Sequence, residues 1–473
     1  MAIDTEDNPD EWFRRRAFAI SAHRLEKELE LGNDSVSTLS QEIYYPNSTA
    51  QIATIVKYTG DRPIACVCGG HETSNSATVA SSDAIIVDVC LMKAISMQDD
   101  GKIVTVAAGV LMEELAVAVR DVGGALPLGA GHSIGVVGFV VNGGASACLS
   151  RRLGLLGQCV TGLTMVDAVG DIHHLTPEDG ERFTSLLGAG SALGIITEIS
   201  FKVADESIVQ RAEQFVVGYN DREQAVDFSH KALTFMRDKV MPDESLSMWV
   251  VVSAKTFSVT FTFYDTFKGS FAEYVDTMVQ EAGDHNMPVQ KKHHFSTWFE
   301  LTSYMWPGLR QLKGSPLTLF QHCCGTRSIP GDEVLDFIAD TWIGKAPMED
   351  AELTMEDFRT LGGATLKGRT LSSRNCFIDL FAFIAPVYDA SNKTTDKIKS
   401  IRKSVDKILV ETQQLDSLIV DFGGTHSQPD DSVHPIKPIS ILGSSKMFET
   451  VKAIKSECDA SNRFRFHPHA SFL

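Results

Sequence analysis

The sequence predicts an α+β protein of two domains, and three observations carry that reading. Residues from about 40 to 204 alternate short helices with compact apolar strands, and they hold three glycine clusters: Gly69-Gly70, a stretch from Gly129 to Gly144, and another from Gly188 to Gly194. After Ala204 the glycines thin out and the strands lengthen. Phe257-Ser258-Val259-Thr260-Phe261-Thr262-Phe263 is a period-2 strand with its aromatics on one face. At 473 residues the chain has room for two domains of ordinary size.

In chain order, Ser48-Thr49-Ala50-Gln51 reads as a capping box opening a helix with Ile52, Ile55 and Val56 on one face. The apolar run Pro63-Ile64-Ala65 leads into Cys66-Val67-Cys68-Gly69-Gly70-His71-Glu72-Thr73-Ser74-Asn75. A strand that turns through two glycines aims successive backbone N–H groups at one point, a nest that binds phosphate oxygens without a cation. Strands follow at 84–88 and 103–107. A helix over 111–122 carries Met112, Leu115, Ala116 and Val119 inward and stops at Gly123-Gly124. Strands at 163–169 and 195–203 bracket what reads as a glycine-rich turn, Gly188-Ala189-Gly190-Ser191-Ala192-Leu193-Gly194.

In the second half, 247–253 and 376–384 read as neighbours of the 257–263 strand. Ile398, Ile401, Val405 and Leu409 set an amphipathic helix able to cover such a sheet. The expected architecture there is an antiparallel sheet covered by helices. A last helix from Ser444, with Phe448, Val451 and Ile454 inward, runs into Asn462-Arg463-Phe464.

Composition narrows the function. A formal net charge of -18 disfavours general affinity for nucleic acid or anionic lipid. An anionic cofactor must therefore be held by local backbone dipoles or a few cations. Nine cysteines without regular spacing fit reduced thiols. The acidic start, Met1 to Asp10, is not a signal peptide, and no window approaches a membrane span. The expected location is cytoplasmic. His293-His294, His322-Cys323-Cys324 and His467-Pro468-His469 lack zinc spacing, so no metal is expected.

The second cluster decides the reading. Pro127-Leu128-Gly129-Ala130-Gly131-His132-Ser133-Ile134-Gly135-Val136-Val137-Gly138 leads into Asn142-Gly143-Gly144, and Gly194-Ile195-Ile196-Thr197 follows. No Rossmann G-x-G-x-x-G follows an early strand. The order of loops resembles the FAD-binding domain of the vanillyl-alcohol oxidase superfamily, also called the p-cresol methylhydroxylase type, and most nearly its berberine-bridge-enzyme-like oxidases. The resemblance is strong over 40–204. Beyond that, Gly362-Gly363-Ala364, Leu371-Ser372-Ser373-Arg374 and Asp459-Ala460-Ser461-Asn462-Arg463-Phe464 are similar to shorter segments of the family.

The resemblance implies a two-subdomain FAD-binding domain over 1–204, with its core at about 40–204. A substrate domain over 205–430 follows, and 431–473 returns to the first domain. It also implies that Cys68, Gly69, Gly70, His71, Glu72, Thr73, Ser74 and Asn75 wrap the FAD pyrophosphate, with His71 placed for an 8α-histidyl bond to the flavin. Gly131, His132, Ser133, Gly135, Val136, Gly138, Asn142, Gly143 and Gly144 would run beside the isoalloxazine. Gly194, Ile195 and Ile196 would meet the adenine end. Gly131 stands where bicovalent members carry a cysteine, so a single histidyl link is expected. The family's Tyr-x-Asn element appears as Ile441-Leu442-Gly443-Ser444-Ser445, and a family histidine and aspartate are replaced by Ser373 and Gln158.

The base is therefore open. His132 is the first candidate, since an imidazole titrates in a useful range for taking an O–H or N–H proton. Asp421 and His426, flanking Gly423-Gly424, are others, and Arg374 and His322 are candidate contacts. Phe261, Phe263, Trp298, Tyr304 and Trp306 are either pocket walls or sheet core. The expected activity is an oxidase that passes hydride from a moderately apolar organic substrate, a secondary-metabolite intermediate among them, to the flavin, with O2 as electron acceptor. Two alternatives stay open: a dehydrogenase using another acceptor, and a flavin-fold cyclase or binding protein without net oxidation.

Overall fold

The computed structural model describes residues 42–69, 84–141, 143–307, 320–326, 328–345, 353–367, 378–385, 418–421 and 445–465, with pairs of residues between 403 and 415. The helix expected through Ile398, Ile401, Val405 and Leu409 lies outside the described residues at those four positions.

A small parallel sheet comes first. β1 (Glu42–Tyr44), α1 (Thr49–Tyr58), β2 (Ile64–Val67) and β3 (Ile85–Asp88) form it in the strand order β1-β3-β2. The helix starts as the sequence predicts. Ser48 Oγ accepts from the Gln51 N–H at 3.3 Å, while Gln51 Oε1 reaches back to the Asn47 N–H at 2.8 Å. Ile52, Ile55 and Val56 are buried against Ile64, Ile85 and Val87.

Next come β4 (Ile95–Gln98), β5 (Ile103–Ala107), α2 (Met112–Arg120), β6 (Gly124–Ala125), α3 (Val136–Val141), α4 (Ser150–Leu153), β7 (Val160–Val166), β8 (Ile172–Leu175), α5 (Glu181–Leu193) and β9 (Ile195–Lys202). The five strands β4-β5-β9-β7-β8 form an antiparallel sheet. One expectation is corrected here. The stretch from Gly188 to Leu193 is not a turn but the last part of α5, with a single kink at Ala189. Its glycine serves packing: a Cβ on Gly190 would sit 2.8 Å from Val141 Cγ1 and 2.9 Å from Ile196 Cδ1, so its absence lets α5 lie against α3. Strand β7 also ends earlier than expected, at Val166, because the Asp167 carboxylate accepts from the N–H groups of Val169 and Asp171 and turns the chain.

After β10 (Ala204–Asp205), which pairs with β6, one large sheet takes over. It is built from β11 (Val209–Gly218), β12 (Leu246–Ser253), β13 (Thr256–Tyr264), β14 (Val289–Phe295), β15 (Phe320–Thr326), β16 (Leu353–Thr360), β17 (Ile378–Ala385) and β18 (Leu418–Asp421). All its pairings are antiparallel, in the order β14-β11-β13-β12-β16-β17-β15-β18. Thus 247–253 is a direct neighbour of the aromatic strand, whereas β17 stands two strands further away. Phe257, Val259, Phe261 and Phe263 face one side with Met248, Val250 and Val252. There α6 (Arg222–Phe235), α7 (Phe271–Asp284) and α9 (Asp332–Phe337) cover them, after the short α8 (Trp298–Ser303) has packed elsewhere. The phenylalanines are fully buried, so Phe261 and Phe263 are sheet core and not pocket walls.

Three buried cations tie these parts together. Arg151, in α4, is buried and donates to the carbonyls of Met241 at 2.6 Å, Val240 at 3.3 Å and Leu361. Burial depresses its pKa. The last helix, α10 (Ser445–Cys458), packs on α5 with Val451 and Ile454 inward. Beyond it, Asp459 accepts from Lys455 Nζ at 2.6 Å and from the N–H groups of Arg463 and Phe464 at 2.7 and 2.8 Å. Lys455 also donates to the Ala192 carbonyl near the end of α5. Arg463 donates to the carbonyls of Arg62, Val56 and Ala168, and its own carbonyl accepts from the Ile64 N–H that begins β2.

Asp459 is the hub of this cluster. Replacing it by alanine leaves a buried ammonium and two backbone N–H groups short of an acceptor. Asp459→Ala is therefore expected to cost about 3–5 kcal/mol in urea unfolding, the range for breaking a buried pair. Asp459→Asn, which keeps an acceptor oxygen, is expected to cost less; equal losses would show that the carboxylate charge, and not its acceptor geometry, holds the cluster.

Candidate functional site

The site grows from a contact between the first two glycine clusters. Where β2 ends, Cys68 and Gly69 run against 133–135. A Cβ on Gly69 would lie 2.5 Å from Gly135 N and 2.5 Å from Ser133 O, both backbone atoms. A Cβ on Gly135 would lie 2.5 Å from Cys68 Sγ. The two loops thus exclude each other's side chains, and only glycine permits the approach. Gly70, His71, Glu72, Thr73, Ser74 and Asn75, which continue the first loop, lie outside the described residues.

The second loop is fixed from behind by α2. The carbonyls of His132 and Ile134 accept from the N–H groups of Glu113 and Met112 at 3.0 and 2.9 Å, and Val110 O accepts from the Val136 N–H. Those N–H donors belong to the first turn of the helix, which has no partners of its own. Glu114 completes the cap by accepting from the Leu111 N–H at 2.7 Å. His132 is buried in this arrangement, and Ser133 beside it.

α3 then presents two unlike faces. Val136, Val140 and Val141 are buried, whereas Gly138 is exposed and a Cβ there would meet nothing within 4 Å. This leaves a bare strip of backbone able to take a flat group. Gly143 and Gly144 follow with φ of 95° and 59°, the left-handed region that favours glycine. Asn142 lies outside the described residues. The third cluster meets α3 from the other side through Gly190. A Cβ on Gly194 would fall 2.7 Å from Val166 O, so the start of β9 presses against β7, and Ile195 and Ile196 pair with Val166 and Met165. All three glycine clusters therefore converge around α3.

The segment 145–148 leads from this point to the face of the large sheet opposite Phe261 and Phe263. Ser247 Oγ and Tyr264 OH donate to the Cys148 carbonyl at 3.2 and 2.9 Å, and Arg359 Nη1 donates to Ala145 O at 3.4 Å. Across that face runs a row fixed by strand register: Gln214 opposite Thr260, Thr260 opposite Trp249, Trp249 opposite Arg359, and Arg359 opposite Asp379. Sequence reasoning missed this row. It consists of the polar alternates of the same strands whose aromatics drew attention, and the period-2 pattern alone could have named it. The face toward the glycine clusters is thus polar, contrary to the apolar lining expected from the aromatics.

Burial pushes the thiols of Cys68 and Cys148 up to about 12, so neither offers a thiolate near neutral pH. Asp421 ends β18, its backbone opposite Cys323, and His426 lies outside the described residues. His322 is on β15, and Ser373 and Arg374 lie outside the described residues. Gln158 does not face the site as an acid: its oxygen accepts from the Leu155 N–H and its amide donates to Thr365 O at 3.0 Å. His293 and His294 occupy successive positions of β14, facing opposite ways. His293 shares a 2.7 Å bond with Tyr304 OH, and His294 lies 3.3 Å from Glu213. Trp298 and Trp306 are buried in the core that includes α2 and α5.

Residues 40–176 match a family model described as an FAD binding domain. The cradle of Gly69, Gly135 and Gly138, where no Cβ intrudes, suits a large anionic cofactor with a planar ring. A curated (R)-6-hydroxynicotine oxidase of Paenarthrobacter nicotinovorans is 28% identical over 159 residues, covering 33% of this chain and 34% of that protein. Berberine bridge enzyme-like 12 of Arabidopsis thaliana is 26% identical over 238 residues, covering 49% and 44%. The chain thus spans about a third of the length of the first curated relative it matches. Among solved structures, the glucooligosaccharide oxidase of Acremonium strictum, whose FAD is described as 6-S-cysteinyl, 8α-N1-histidyl, superposes with a TM-score of 0.73 at 18% identity, over 89% of this chain and 90% of that one. The chain is an FAD-binding protein with the fold of the vanillyl-alcohol-oxidase-type flavoproteins, the group its glycine loops resemble.

Proposed function

We propose that the protein is an FAD-dependent oxidoreductase acting as an oxidase on a small organic substrate. The observation that carries the proposal is the convergence of three glycine clusters on α3, with the polar sheet face reaching the same segment. When bound, FAD supplies the two-electron acceptor for a substrate C–H bond and passes the electrons to O2 as H2O2.

In this reading Cys68 to Asn75 hold the pyrophosphate through backbone N–H groups, and His71 anchors the cofactor covalently. Gly131, His132, Ser133, Gly135, Val136, Gly138, Asn142, Gly143 and Gly144 line the ring. Gly194, Ile195 and Ile196 lie at the adenine end. His132 takes the substrate's O–H or N–H proton, with Asp421 and His426 as the other candidates for that role. The division into 1–204, 205–430 and 431–473 belongs to the same reading, as do a cytoplasmic location and a role in secondary metabolism. No helix of the described residues is long and apolar enough to cross a membrane.

The direct test is an absorption spectrum of the purified protein before and after acid precipitation. A yellow pellet is expected, and a colourless protein would overturn the proposal. His71→Ala should move the colour to the supernatant; if the pellet stays yellow, another residue is the anchor. Gly69→Ala is expected to lower the flavin-to-protein ratio about tenfold or more, since its methyl would strike backbone that has nowhere to retreat. Substrate-reduced protein returned to air should reoxidise with stoichiometric H2O2. Slow reoxidation would point to a dehydrogenase, and a product formed without peroxide to a non-oxidative enzyme.

A further inference from the structure

The face of the large sheet opposite Phe261 and Phe263 contains, among its buried polar atoms, two that the described residues do not satisfy. Trp249 is 8% exposed and Gln214 7%, yet the Trp249 Nε1–H and Gln214 Oε1 have no hydrogen-bond partner among the described residues. A buried donor or acceptor left unmade costs more than an ordinary hydrogen bond gains, so such atoms persist where something else supplies the partner. The two sit in one row on either side of Thr260, whose Oγ1 already accepts from Gln214 Nε2 at 3.1 Å. That bond fixes the amide so that its oxygen, not its nitrogen, is left for a guest.

The cation of the row is matched within the protein. Arg359, opposite Trp249, pairs with Asp357 at 2.7 Å, and both side chains are largely buried. Bringing a carboxylate here would meet a cation already matched by an anion, and would pay desolvation without a free counter-charge. A neutral group that both donates and accepts fits both orphan atoms. The row also ends on the segment 145–148 that follows Gly143 and Gly144, through the Arg359 contact to Ala145.

We infer that Gln214 and Trp249 are specificity-determining residues that read a neutral, hydroxyl-bearing part of the substrate, the indole N–H donating to one substrate oxygen and the Gln214 amide oxygen accepting from a hydroxyl. The inference rests on the flavoprotein reading, and it assigns the substrate class as neutral and oxygenated, neither a carboxylate nor a hydrocarbon.

The test uses the full chain as purified, with trans-cyclohexane-1,2-diol, cyclohexanecarboxylate and methylcyclohexane as probes of one ring size. Saturation-transfer NMR on the unmodified protein is expected to show binding of the diol in preference to the other two. Trp249→Phe and Gln214→Met, with folding checked by circular dichroism, are each expected to weaken the diol about tenfold. Preference for the carboxylate or the hydrocarbon, or equal diol binding by folded variants, overturns the inference, and the comparison on the unmodified protein decides it even if a variant fails to fold. Flavin absorbance of the same samples separates the two readings: a yellow protein indifferent to the diol refutes this inference alone, whereas a colourless one refutes the cofactor.

Discussion

Everything at the site depends on two loops coming closer than any side chain would allow. Backbone of Ser133 and Gly135 fills the space that a Cβ on Gly69 would need, and the Cys68 side chain fills the space that a Cβ on Gly135 would need. Such an approach gives little apolar burial, so it must be enforced from outside. The second loop is held by the first-turn N–H groups of α2, and the first by β2 in the small parallel sheet. Exposed amide dipoles at a glycine turn attract anions strongly and cost no reorganisation.

The two large parts share an apolar core through Tyr264, Trp298 and Trp306, and a buried polar socket joins them as well. The Arg151 guanidinium, with burial lowering its pKa, is surrounded by carbonyl oxygens of 240–241 and 361. A delocalised, weakly hydrated cation suits such a socket better than an ammonium. Gly363 packs against the Arg151 carbonyl with φ of 53°, so the Gly362-Gly363 turn is shaped by this junction. The same junction carries Gln158, whose amide reaches Thr365.

Much of the first part was legible because local chemistry there agrees with tertiary need. Ser48 and Gln51 cap as read, and the apolar faces of α1, α2 and α10 turn inward as their spacing says. The stretch from Gly188 to Gly194 misled because glycine has two uses. It was read as a turn former, whereas Gly190 acts by absence, letting α5 touch α3. The polar row was missed for the opposite reason: Thr260, Trp249 and Gln214 lack any motif, and only strand register assembles them. The convergence of the glycine clusters was a question of topology that composition could raise but not answer. Arg151, finally, has no sequence signature at all, since its partners are main-chain atoms.

The Arg463 carbonyl that receives the Ile64 N–H has a consequence for the order of assembly. Arg463 and the strand it supports are far apart in sequence, its guanidinium bonding Arg62 across 401 positions. The strand that delivers the first glycine loop therefore lacks an edge bond until nearly all of this sequence has emerged from the ribosome.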